Sequence, residues 1–333
     1  MNRSFFFLAC LLLLGCSSQV IPKIKGLSFV ASREEVRQEH VDAVLDMHAN
    51  YVAIMPYGFV RNLQEPQILF DTDRQWFGET SKGVRQYIQM LHANKVNVML
   101  KPQLWIWRGE FTGSMKMATE ADWKILETSY THFILTFAEL AEETGAEIFC
   151  IGTELEQFVL HRQTYWLDLI AAIRTTYSGK ITYAANWDEY QDIPFWKELD
   201  YIGIDAYFPL SEEKTPQVAT LLRAWEPWKE KIAQLSKKEK RRVLFTEFGY
   251  RSMDYAAWKP WTVSRDGSKV NLQAQTNAKK AIFKTFWKEE WFAGGFVWKW
   301  FMDHNLAGGI QSDRFTPQNK PAQEVIKDYY SSY

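Results

Sequence analysis

Residues 146–158 read AEIFCIGTELEQF, an apolar run that passes through Gly152 straight into two carboxylates, Glu154 and Glu156. A solvent loop would explain acids, but not acids mounted on the end of so hydrophobic a segment. A buried strand whose end opens on a functional face explains both. The same grammar recurs at 242–250, RVLFTEFGY, where an apolar run ends in Glu247 just before Gly249. Eight short β-branched or aromatic runs can be read in all: 25–31, 51–57, 96–103, 147–154, 180–186, 200–208, 242–250 and 294–301. Between them lie longer stretches of helical spacing. Ser32 with Glu35 suggests a capping box ahead of a run ending at Asn50, and Thr119 is placed to cap a helix carrying Trp123, Leu126, Tyr130, Phe133 and Phe137. Gly145 can stop that helix in the left-handed conformation, and Trp166, Leu169, Ile170 and Ile173 repeat the periodicity further on.

Continuous apolar strands alternating with helices imply parallel strands buried on both faces. Eight such units in roughly 300 residues fit the α/β class as a single (β/α)8 TIM barrel over residues 25–333. The long irregular stretches, 58–80, 104–118 and 251–271, all follow the C-terminal ends of candidate strands, where barrel enzymes build their sites.

Before the barrel, MNRSFFFLACLLLLGCSSQ carries Arg3, an apolar run from Phe5 to Leu14 and a Leu-Leu-Gly-Cys stop. The run is too short to span a bilayer and reads as a secretory signal. Its end resembles a bacterial lipobox, which makes residues 1–15 a signal peptide, Cys16 the lipidated residue and 16–24 a short tether. The expected location is the bacterial cell envelope, with a lipid anchor holding the protein to the membrane. Without residues 1–15 the chain has 38 basic and 40 acidic side chains, a balance that argues against nucleic acid as a partner. The basic cluster KKEKRR at 237–242 reads as a solvated loop. Cys150 is then left without a cysteine partner, so the fold rests on its core. Six histidines show neither HExxH spacing nor a Cys/His cluster, so no metal site is expected.

On a barrel, Glu154 closes the fourth strand and Glu247 the seventh, both on the catalytic rim. Glu156 lies two residues beyond Glu154, and strand parity alone does not separate them. Position does, because a residue still held by a strand is the better-fixed catalyst. Two carboxylates facing each other across a barrel mouth suit glycoside hydrolysis: one protonates the leaving oxygen while the other attacks the anomeric carbon. Such chemistry needs neither metal nor organic cofactor. The chain is also rich in aromatics, with 15 Trp, 15 Tyr and 22 Phe, a surplus that suits gripping sugar rings. Trp105 and Trp107, Trp187, and the loop residues Trp258 and Trp261 are candidate stacking platforms. Lys101 and Asn186, near strand ends, suit either a sugar contact or a structural hydrogen bond.

Strand-four and strand-seven glutamates on such a barrel look like the retaining glycoside hydrolases of clan A. The ordered phrases CIGTELEQF, YAANWDEY, IGIDAYFPL, LFTEFGY, GGFVWKW and FTPQNKPA resemble glycoside hydrolase family 113, known for β-mannanases. The resemblance implies Glu154 as general acid/base and Glu247 as nucleophile. It further implies that Tyr207 hydrogen-bonds the nucleophile, that Trp298 or Trp300 floors the subsite of the reacting sugar, and that the substrate is a β-linked mannan or manno-oligosaccharide. This chain departs from the clan in one place: Thr153 stands directly before the acid/base, where Asn is usual and contacts the 2-hydroxyl. A glycan-binding lipoprotein that kept the barrel without its catalysis, and the same chemistry on another β-linked hexose polymer, are the alternatives.

Overall fold

The computed structural model describes residues 22–262 and 269–333; Cys16 and the signal and most of the tether read from the sequence lie outside them. Eight strands close a parallel barrel: β1 (Ile24–Phe29), β2 (Tyr51–Ile54), β4 (Asn97–Leu100), β6 (Ile148–Thr153), β7 (Lys180–Asn186), β8 (Tyr201–Asp205), β9 (Arg242–Phe248) and β10 (Phe292–Trp300). The order around the barrel is β1-β2-β4-β6-β7-β8-β9-β10, with β10 returning to β1. The eight runs read from the sequence are these eight strands, so the chain is a (β/α)8 barrel. Two further strands, β3 (Tyr57–Val60) and β5 (Gln103–Ile106), pair in parallel as a separate two-stranded sheet. They extend β2 and β4 past the rim, so part of what reads as irregular loop is ordered by pairing with a distant segment.

The helices are α1 (Gln38–Asp46), α2 (Ser81–Ala93), α3 (Glu120–Thr144), α4 (Glu156–His161), α5 (Gln163–Thr176), α6 (Val218–Glu239), α7 (Leu272–Phe286) and α8 (Pro321–Ser332). Thr119 caps α3 by accepting the Asp122 amide, and Gly145 ends it at φ 72°. The start of α1 differs from the sequence expectation. Ser32 accepts the Glu34 amide in a local turn, and the helix begins at Gln38. A hydroxyl that turns back on its own loop satisfies the same local signature as a cap. The crossover from β7 to β8 is made by a 3-10 turn, Trp196–Glu198, where the alternation suggests an α-helix.

The core has two layers. Inside the barrel, Ile24, Ala53, Met99, Ile148, Cys150, Ala184, Leu244, Ala293 and Phe296 form an apolar plug. Outside it, the larger cluster packs the outward faces of the strands against the helices. Filling the barrel floor with side chains makes the lower interior a core rather than a pore. Above this plug, toward the C-terminal ends, the interior becomes polar: Lys101, Asp205, Thr246 and Glu247 are all buried there.

Strand register slips at the same level. Cys150 pairs with Thr182, but Thr153 with Ala184; Ile204 pairs with Phe245, but Asp205 with Glu247; Leu27 pairs with Val297, but Phe29 with Trp300. Each slip is a bulge of one residue, a device that re-aims the side chains beyond it. The first two immediately precede Glu154 and Glu247, and the third lies within the Trp298–Trp300 segment.

Candidate active site

Lys101, the residue after β4, is fully buried. Its ammonium lies 3.2 Å from both oxygens of Asp205 and 2.5 Å from Glu247 Oε1. Burial works against the charge on Lys101, but the Asp205 and Glu247 carboxylates outweigh it and hold the ammonium protonated to higher pH than usual. Lys101 is therefore not a sugar contact: its side chain is consumed beneath the site, the structural alternative of the two that its position offered.

Glu247 gathers two more donors. Gln103 Nε2 donates to Oε1 (3.1 Å) and the Tyr207 hydroxyl to Oε2 (2.6 Å). Three donors converging on two oxygens place this group as an acceptor. Asp205 completes the arrangement from below, accepting Thr246 Oγ1 at 2.7 Å. Burial, and then the charge of Glu247, push the Asp205 carboxyl up to about 7, with Lys101 opposing. Two carboxylates thus share one ammonium.

Glu154 occupies the opposite situation. It follows the last residue of β6 at φ 50°, a left-handed conformation uncommon for a residue with a side chain, and its amide donates to Ala184 O at 2.8 Å. The residue is half-buried. Loss of hydration, the charges of Asp205 and Glu247, and more distantly Glu189, raise its carboxyl well above the ordinary range, while Lys101 opposes. Glu156 lies elsewhere: it is the first residue of α4, and after burial the charges acting on it are those of Asp188 and Asp192.

Behind Glu154 stands an acid that the sequence reading passed over. Glu189 is 4% exposed and pushed up to about 8, chiefly by burial. Its Oε1 accepts the Asn186 amide (2.8 Å) and the Tyr183 hydroxyl (3.5 Å), and that hydroxyl in turn accepts the Leu155 amide at 2.7 Å. A buried carboxyl therefore ties the backbone just after Glu154 to the end of β7. Asp205, Gln103 and Glu189 all sit in phrases read as strand or motif, so each was in view; nothing local distinguished them from surface polar residues.

The aromatic candidates separate. Trp300 is fully buried and stacks on His304 (5.4 Å between centroids, 15° between planes), so it is core and not a floor for sugar. Trp298 is half-buried, and the bulge between Val297 and Trp300 is why two residues expected to share a face do not. Trp105 and Trp107 are exposed, Trp105 meeting Tyr57 edge to face at 6.2 Å. Trp187, just beyond β7, is half-buried and stacks on the exposed Trp261 (5.3 Å, 12°). Trp258 is exposed as well. Asn186 Oδ1 accepts the Trp187 amide (2.9 Å), which fixes the turn carrying that ring. The Thr153 hydroxyl is buried, and among the described residues only the neighbouring Cys150 thiol interacts with it. Gly249 allows β9 and β10 to close the rim, since a Cβ there would lie 2.5 Å from Trp298 O.

In chemical terms, the mouth holds a carboxyl biased toward its protonated form within the electrostatic reach of a carboxyl served by three donors. Such a pair can give a proton on one side of a bond while presenting a nucleophilic oxygen on the other. The comparisons with known proteins bear on the fold and the family. The chain is similar in structure to the β-mannanase AaManA from Alicyclobacillus acidocaldarius in complex with ManMIm, with TM-score 0.81 and 23% identity over 93% of this chain and 97% of that one. It is similar to a β-1,4-mannanase of the same family, with TM-score 0.81 and 22% identity over 93% of this chain and 99% of that one. A more remote likeness is to a β-glucuronidase from Ruminococcus gnavus in complex with D-glucuronic acid, with TM-score 0.61 and 13% identity over 92% of this chain and 49% of that one. No curated protein matches the chain. At these identities the structures speak for the fold; the family model for Glycoside Hydrolase Family 113 matches residues 30–320, and the chain belongs to that family.

Proposed function

We propose that the chain is a retaining β-glycoside hydrolase that cleaves β-1,4-mannan or manno-oligosaccharides by double displacement. The observation that carries this reading is the asymmetry of the two glutamates: Glu154 is held toward its protonated form while Glu247 is surrounded by Lys101, Gln103 and Tyr207 as donors. In the first step a Glu247 oxygen attacks the anomeric carbon as the bond to the leaving oxygen breaks, and Glu154 gives its proton to that oxygen. In the second, Glu154, now ionised, takes a proton from water as the water oxygen displaces Glu247. Lys101 is a positioning residue that keeps Glu247 turned to the mouth and offsets its charge until the sugar carbon arrives. The mannan assignment is supported by the names of the mannanases to which the chain is similar. The lipobox at Cys16 supports placing the enzyme on the cell envelope.

Double displacement calls for carboxyl groups about 5–5.5 Å apart and for retention at the anomeric carbon. Proton NMR of the first minutes of manno-oligosaccharide hydrolysis should show the β-anomer ahead of mutarotation. An initial α-product would refute retention, and no cleavage at all would favour a binding protein.

A further inference from the structure

Around the C-terminal ends of β9 and β10 the charges do not balance. Arg251 follows β9, Lys299 lies near the end of β10, and Arg314 and Lys320 belong to the segment between β10 and α8. Among the described residues one carboxylate is ion-paired with this group. Asp313 takes Arg251 Nη2 at 3.2 Å and Arg314 Nε at 3.8 Å. Lys320 is satisfied by neutral oxygens, Ser252 Oγ and Arg314 O, both at 2.8 Å. The four cations form one field: Arg314 and Arg251 act on Lys299, and Arg251 acts on Lys320.

Lys299 stands apart within this group. It is half-buried, and its ammonium lies 5.3 Å from the ring centroids of both Trp298 and Phe301. Among the described residues it has neither an ion pair nor a hydrogen-bond acceptor. Arg251, 6% exposed, also keeps its Nε without an acceptor. A desolvated ammonium without a counter-ion is costly, and an arriving anion removes that cost. The cluster borders the nucleophile: Glu247 acts on Lys299, and Arg251 covers Phe315 (5.6 Å), whose ring meets Tyr207 (5.9 Å), which holds Glu247. Neutral hexoses bring only hydroxyls to such a place.

We propose that this cluster is a subsite for a carboxylate-bearing hexose, a uronic acid, seated beside Glu247 with its carboxylate on Lys299. Arg251, Arg314 and Lys320 supply the surrounding positive field. The substrate is then a β-linked mannan or manno-oligosaccharide that carries uronate residues. This rests on the glycosidase reading above.

The test compares p-nitrophenyl β-D-mannoside with p-nitrophenyl β-D-mannuronide, a pair that differs only at C6, on the wild-type protein, Lys299→Met and Lys299→Arg. The wild type should favour the mannuronide in kcat/KM, and added salt should shrink that preference. Lys299→Met should lower the acid-to-neutral ratio by about 10–100-fold, the scale of one lost hydrogen bond to a charged group, and Lys299→Arg should restore most of it. Preference for the neutral glycoside in the wild type, or an unchanged ratio in Lys299→Met, would overturn the proposal. If neither monoglycoside is cleaved, manno-oligosaccharide hydrolysis decides the glycosidase reading, and calorimetry with free mannuronate and mannose decides this one. Uronate binding that Lys299→Met loses supports the subsite; absence of uronate binding to the wild type removes it.

Discussion

Glu154 and Glu156 are two residues apart, and strand alternation would aim them alike. The structure parts them because alternation has already ended: a bulge follows Cys150, Glu154 takes a left-handed φ of 50°, and Glu156 opens a helix. Only Glu154 of the two feels the charges of Asp205 and Glu247. Removing each in turn should show it. Glu154→Ala should lose about 10²–10⁴-fold on manno-oligosaccharide, the usual worth of a general acid/base. An aryl mannobioside with an acidic phenol should still form its glycosyl-enzyme, and azide should speed the slow second step by attacking without a general base. Since the raised carboxyl of Glu154 must be protonated to act, the alkaline limb of kcat/KM should belong to it and flatten in Glu154→Ala. Glu156→Ala should show neither azide rescue nor a changed limb; rescue of that variant with Glu154→Ala near wild type would move the assignment by two residues. Trp300 teaches the same lesson at the other end of the rim, where parity with Trp298 failed at a bulge.

At the scale of elements, the barrel was legible because each strand is buried on both faces and so reads as an unbroken apolar run. The observed strands begin and end within a few residues of those runs. Pairings that depend on distant segments were not legible, β3 with β5 above all, nor was the β7–β8 crossover that dispenses with an α-helix. The rim residues were found by position, but their partners were not. Lys101 looks like any strand-end lysine until β8 and β9 bring Asp205 and Glu247 to it. That dependence makes it testable. Lys101→Met leaves two buried carboxyls facing each other without their cation, and they then hold a proton to higher pH. Activity should fall at least about 100-fold, with the acidic limb of kcat/KM moved upward, and unfolding should cost about 3–5 kcal/mol less, the scale for a broken buried pair. Near-normal activity with an unmoved acidic limb would show that the ammonium is incidental to Glu247.

For the whole molecule, the lower barrel is an apolar core and the upper barrel an ionic layer, and the proposed chemistry falls at the boundary between ionic layer and solvent. Among the described residues no helix is long and apolar enough to cross a membrane; the attachment proposed above is a lipid at Cys16. Cys16→Ser should abolish labelling by a fatty-acid analogue and move the protein out of the membrane fraction; unchanged labelling and retention would exclude the anchor. The central claim, a covalent intermediate on Glu247 with its proton supplied from Glu154, is tested most directly by trapping that intermediate. In an activated 2-deoxy-2-fluoro-mannobioside the fluorine should slow both steps while the good leaving group restores the first, so the intermediate accumulates, and mass spectrometry of the digested protein should place one glycosyl adduct on Glu247. An adduct on Glu154, Glu156 or Asp205, or turnover through direct attack of water with no adduct and an α-product, would contradict it.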